Sequence, residues 1–98
     1  MTRTEAFKAA SNAVSICGNV RAGWCIHYPY YDTDLTGPTG STVTDNYWKA
    51  LARARVIKAR IAGALLGIEG DELAELQYHV ENGADWRAAV REAANGTT

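Results

Sequence analysis

The sequence predicts an α+β fold: an N-terminal helix, a two- or three-stranded antiparallel sheet, a long central helix and two short C-terminal helices in a two-layer sandwich. Three observations lead there. Residues 45–68 place apolar side chains at spacings of three and four, the period of a helix lying on a surface. Residues 24–31 alternate in period two, the pattern of a strand. The remaining helical patterns fall outside the strand region, so helices and strands are segregated rather than alternating. At 98 residues, the chain makes a single domain, 1–98, with one modest core.

The first helix is announced by Thr2-Arg3-Thr4-Glu5, which fits a capping box, and runs from about Arg3 to Ala13. Phe7, Ala10 and Val14 share one face. Val14 to Cys17 admits two readings: a last helical turn stopped by Gly18, or a short strand. The poor helix propensity of Val, Ser, Ile and Cys leans to the strand. Gly18 to Gly23 reads as a turn. Trp24 to Tyr31 is the clearest strand, with Trp24, Ile26, Tyr28 and Tyr30 toward the core and Cys25, His27, Pro29 and Tyr31 on the other face. Pro29 lacks an amide donor, so the far end of that strand is an edge or a bulge. Asp32 to Gly40, rich in Asp, Thr, Gly and Pro, reads as a loop with Thr36-Gly37-Pro38-Thr39-Gly40 at its tip. Ser41 to Thr44 returns as a strand paired with the first.

Asp45 is the expected N-cap of the central helix. Tyr47, Ala50, Ala54, Ile57, Ile61, Leu65 and Ile68 form its main apolar stripe, for the sheet. Lys49, Arg53, Val56 and Arg60 form a row beside it. Trp48, Ala52, Ala59 and Leu66 make a minor apolar row opposite, which predicts a helix packed on two sides. Gly63 and Gly67 either permit close helix packing or end the helix. Asp71 to Asn82 is a short amphipathic helix with Leu73, Leu76 and Val80 inward, stopped at Asn82-Gly83. Asp85 caps a final helix with Trp86, Ala89, Val90 and Ala93 on one face, and residues 95–98 read as a frayed tail.

A net charge of −1 carries no whole-chain signature for nucleic acid or membrane. The distribution is less even. Lys49, Arg53, Arg55, Lys58 and Arg60 are five of the ten basic residues. They are followed by Glu69, Asp71, Glu72, Glu75, Glu81 and Asp85, a dipolar layout that antiparallel packing would neutralise. Cys17 and Cys25 match no metal-ligand spacing. No signal peptide or membrane-length apolar run is present, so the expectation is a cytoplasmic protein with free, buried thiols. Well-placed strands could bring the two thiols together.

No catalytic or cofactor motif stands out, so the expectation is a binding protein without enzymatic activity or cofactor. Glu75 and His79 share a helix face but lack the further ligands a zinc site needs. His27 shares a strand face with Cys25, a pairing that a thiol nucleophile would require. Asp32 and Asp34 lack the rest of a calcium loop. The candidate binding surfaces are therefore three. The first is the Lys49, Arg53 and Arg60 ridge, which can follow a phosphate backbone. The second is the strand face carrying His27 and Tyr31. The third is the acidic group Glu69, Asp71, Glu72 and Glu75, which could mimic nucleic acid in a basic groove.

Two resemblances bear on partners. The element order is similar in topology to the double-stranded-RNA-binding domain, but that family's basic cluster and its glycine- and lysine-rich loops are absent. The strand from Gly23 to Asp32, the Thr36 to Gly40 segment and the ending Gly83-Ala84-Asp85-Trp86-Arg87 resemble small accessory proteins of temperate phages, which include anti-CRISPR proteins. That resemblance implies an inhibitor that contacts a host protein or protein–nucleic acid complex and occludes its nucleic-acid or effector site. It implies no particular site residue.

Overall fold

Thr2 starts the first helix. Its Oγ1 accepts from the Glu5 amide at 3.2 Å, and Glu5 Oε1 accepts from the Thr2 amide at 3.0 Å, so two orphan donors are satisfied reciprocally. The Thr2 amide, and after it the Thr2 hydroxyl, holds the Glu5 carboxyl below its usual pKa. Helix α1 then spans Arg3–Ala13 in the computed structural model, which describes residues 1–96. At Val14 the backbone becomes extended, with φ −114° and ψ 124°. Of the two readings of Val14 to Cys17, the strand holds from Ser15 onward.

Three strands form one open antiparallel sheet in the order β1-β2-β3: β1 (Ser15–Asn19), β2 (Gly23–Tyr31) and β3 (Asp34–Thr44). Asn19 Oδ1 accepts from the Arg21 and Ala22 amides at 2.9 and 2.8 Å, which folds the β1–β2 turn without further secondary structure.

The largest difference from expectation is the expected loop from Asp32 to Gly40. Tyr31 pairs with Asp34, so Asp32 and Thr33 alone make the turn, and the supposed loop tip lies within β3. Two physical reasons allow this. β3 is a sheet edge, and Pro38 lies in the stretch of it that has no register partner in β2, so its missing amide donor breaks no ladder bond. Gly40 is a packing requirement: a Cβ there would meet the Tyr30 ring at 2.7 Å and the Tyr28 ring at 3.0 Å. The register shifts between Pro29 and Tyr31, the irregularity expected from Pro29. Its side effects were not foreseen. Pro29 is buried, while Tyr30, expected in the core, sits in that register shift and is 60 % exposed.

Helix α2 spans Tyr47–Leu65, and its N-cap is Asn46, not Asp45. Asn46 Oδ1 accepts from the Trp48 and Lys49 amides at 2.8 and 3.3 Å. Both residue types cap well, but the chain needs both positions to turn from β3 into the helix. Ala50, Ala54, Ile57 and Ile61 are buried as the stripe predicts. Val56, assigned to the basic row, is also buried, because α2 packs against α1 and two later helices as well as the sheet. Of the minor row, Ala59 is buried but Trp48, in the first turn, is 73 % exposed.

The two glycines of α2 divide the roles foreseen for them. A Cβ on Gly63 would meet Leu76 and Leu73 at 2.9 and 3.0 Å, so its bareness sets the close approach of the next helix. Gly67 has φ +86° and ends α2, with the Ile68 amide returning to the Gly63 carbonyl at 2.9 Å, a Schellman closure. Helix α3 spans Gly70–Glu81 and closes in the same way, with the Ala84 amide on the His79 carbonyl at 3.0 Å. Asp85 Oδ2 accepts from the Ala88 amide at 3.0 Å and caps α4 (Trp86–Gly96). Asn95 and Gly96, expected in the tail, belong to α4, and Asn95 accepts a hydrogen bond from Arg3. Thr97 and Thr98, the rest of that tail, lie outside the described residues.

The core lies where α2 meets the sheet and the other helices. Ile26 from β2, Ile57 and Ile61 from α2 and Val90 from α4 are its largest fully buried side chains. Trp86 closes it beside α1, edge-on to Phe7 at 5.6 Å between ring centroids. Among the described residues, no helix is long and apolar enough to cross a membrane.

Candidate functional site

The outward sheet face follows from the strand period. Antiparallel register sets Cys17 opposite Cys25 and Ser15 opposite His27. On the other side of β2, Val43 faces Cys25 and Ser41 faces His27. Ser15, Cys17, Ser41 and Val43 are exposed, while Cys25 and His27 are half-buried. The thiols are free, as expected. The Cys17 thiol is not buried, however, because its side chain points away from the helices. The partner of His27 is Cys17, with Nε2 3.2 Å from Sγ, rather than the Cys25 that shares its strand. Tyr31 is also exposed, but it lies beyond the bulge, against Gly37.

The basic ridge is largely engaged. Arg60 Nε donates to Asp32 Oδ1 at 3.0 Å, with both side chains about three-quarters buried. Its guanidinium also lies 5.9 Å from the centre of the Tyr28 ring. Arg60 thus ties the β2–β3 turn to α2. Arg53 meets Glu81 at 3.7 Å, both exposed, and Gly63 lies against Leu73 and Leu76, so α2 and α3 run antiparallel. Lys49 is exposed, with no ion pair among the described residues. The neutralisation expected between the basic and acidic segments is therefore realised in one weak pair.

A different basic group forms across α2 and α4. Burial, together with nearby Arg87 and Arg55, holds the Lys58 ammonium below the usual lysine pKa. Among the described residues, none of these three is joined to a carboxylate. Arg87 instead donates to Ser11 at 3.4 Å and lies 4.5 Å from the Trp86 ring centre. The sequence separates Arg87 from the others by a whole helix, so only the folded arrangement reveals the group.

The acidic residues remain accessible. Glu69, Asp71, Glu72 and Glu75 are all exposed on or beside α3. Glu72 and Glu75 line a groove of about 500 Å³ between α3 and α4, joined by Asp85 and Glu92. The rest of its lining is His79 and the apolar residues Leu76, Ala84, Ala88, Ala89 and Ala93. Some of these acids have structural work. Asp71 and Glu72 suit the positive end of α3, and Asp85 caps α4. Glu92 has no such role, and Glu75 meets His79 at 3.4 Å in the helix-surface pair expected from their spacing. Among the described residues, no Lys or Arg pairs with any groove carboxylate. Glu69 and Asp71 do not line the groove; Asp85, part of the acidic run but not of the candidate patch, and Glu92, part of neither, do.

The signal for Cys17 was present in the sequence but needed the turn to be centred. Cys17 and Cys25 lie four residues either side of Arg21, so a hairpin closing there must oppose them. Glu92 carried a weaker signal, because its place beside Glu75 depends on how α4 packs on α3. Comparison of the chain with protein-family models, curated proteins and solved structures finds no match in any of the three.

Proposed function

We propose that this chain is a small, non-enzymatic binding protein of the cytoplasm, a two-layer α+β scaffold that offers its acidic α3–α4 groove to a basic surface of a partner protein. One observation carries this reading. Carboxylates of Glu72, Glu75, Asp85 and Glu92 line an apolar strip, and among the described residues none of them is paired with a Lys or Arg; Glu75 meets only His79. An acidic rim around an apolar strip matches what a partner needs: charge for steering and selectivity, apolar area for affinity. The partner class that fits is a host protein, alone or in a nucleic-acid complex, whose phosphate-binding site the groove would fill. The resemblance to phage-encoded inhibitors supports the same class.

Competition tests this reading. A partner held by the immobilised chain should be displaced by the nucleic acid that the partner itself binds, and by rising salt, which screens exposed charges. A partner that stays bound against both would sink it.

Direct nucleic-acid binding is the second reading, favoured by the unopposed group of Arg55, Lys58 and Arg87. It requires a mobility shift with duplex RNA or DNA at low salt that weakens steeply as salt rises.

A further inference from the structure

We infer that Cys17, Cys25 and His27 form a binding site for a single zinc ion on the outward face of the sheet. One ligand comes from β1 and two from β2. Their candidate donor atoms, two Sγ and one imidazole nitrogen, all lie within 4.8 Å of one another. Tetrahedral zinc with S and N ligands requires donor separations of about 3.6–3.8 Å, given metal–ligand bonds near 2.0–2.3 Å. The Cys17 Sγ to His27 Nε2 distance is 3.2 Å. Side-chain rotation therefore suffices to close the site, and the strand register need not change.

The donor set selects the metal. Two thiolates and an imidazole suit zinc and disfavour magnesium or calcium, which take oxygen ligands. On binding, each thiol loses its proton to solvent and forms a Zn–S bond, and neutral His27 gives a Zn–N bond. The two thiolate charges balance the ion, so the loaded site is neutral. Three protein ligands leave a fourth position. Exposure of Cys17 opens that position to water or to a side chain from outside the chain.

The scaffold gives the site a rigid base. Cys25 and His27 sit on the central strand, hydrogen-bonded on both sides, and the Cys17–Cys25 pair is fixed by register. Ser15 and Ser41 flank His27 in the register. The inference is independent of the acidic groove, since none of its residues lines that groove.

The test uses the whole chain, freshly reduced, titrated with cobalt(II) as a spectroscopic stand-in and then with zinc. The expected result is one cobalt per chain with a thiolate-to-cobalt absorption band, displaced by one equivalent of zinc. Cys17→Ser and Cys25→Ser should each weaken binding at least a hundredfold, and His27→Ala at least tenfold. All three should keep the wild-type circular dichroism spectrum, because the positions lie on an outward face. His79→Ala should bind like wild type. Absence of the cobalt–thiolate band in the reduced wild-type chain would overturn the inference. So would binding that survives Cys17→Ser, or binding lost with His79→Ala. A chain whose thiols pair as a Cys17–Cys25 disulfide and which, once reduced, takes up no metal would also overturn it.

Discussion

The basic ridge of α2 and the acidic groove of α3 and α4 look equivalent as charge runs, yet the fold treats them differently. Arg60 is held by Asp32 and lies over Tyr28, and Arg53 reaches Glu81. The ridge has become part of how the sheet and helices are joined. In the groove, Glu75 meets a histidine, Asp85 caps its own helix, and no Lys or Arg of the described residues intervenes. The lesson is that a charge run marks a binding surface only after the ion pairs within the fold are subtracted. A carboxylate left without a cation on a concave surface says more than a longer row of arginines already engaged.

Removal of Asp32 should have the largest effect. Asp32→Ala leaves a largely buried Arg60 without its acceptor and should cost about 1–2 kcal/mol in urea denaturation. A loss near zero would mean the ridge is not structural. Arg53→Ala should cost less, about 0.2–1 kcal/mol, because that pair is long and exposed. Neutralising the groove with Glu72→Gln, Glu75→Gln and Glu92→Gln together should leave stability within about 1 kcal/mol of wild type, as surface changes do. A large destabilisation would show that the groove acids hold the fold.

The smallest expected effect is at Lys58. Its folded pKa is lowered by burial, then by Arg87 and Arg55, so the unfolded chain holds its proton to higher pH. Stability contributed at this position therefore rises as pH climbs through the folded pKa toward the unfolded value, and the penalty is fully present below it. Lys58→Gln should abolish that alkaline rise and slightly raise the neutral-pH melting temperature. Solvent screening keeps the gain small, because Lys58 is partly exposed. An unchanged alkaline profile would remove Lys58 from the basic group.

Much of the fold was legible because local signals agreed. The capping box at Thr2 and Glu5, the period-two strand at Trp24 to Tyr31 and the α2 stripe all specify the same elements at short range. The β3 segment was not legible, since Gly37, Pro38 and Gly40 look like turn residues until β3 is known to be an edge strand packed beside tyrosine rings. The basic ridge was legible as a row, but its engagement was not: Asp32 lies 28 residues from Arg60. The groove was half visible, through Glu72 and Glu75. Its other wall required the position of α4, which depends on Gly63 letting α3 settle against α2.

If, as proposed, the acidic groove rather than the basic ridge is the contact surface, partner binding must depend on the groove carboxylates. The direct test is to capture proteins from a lysate of the cells that make the chain on three immobilised forms of it. These are wild type, the groove variant Glu72→Gln/Glu75→Gln/Glu92→Gln, and a ridge variant Lys49→Gln/Arg53→Gln that spares Arg60. A partner should be recovered by wild type and the ridge variant, with at least a tenfold loss for the groove variant. Recovery undiminished by the groove changes, or abolished by the ridge changes, would contradict it.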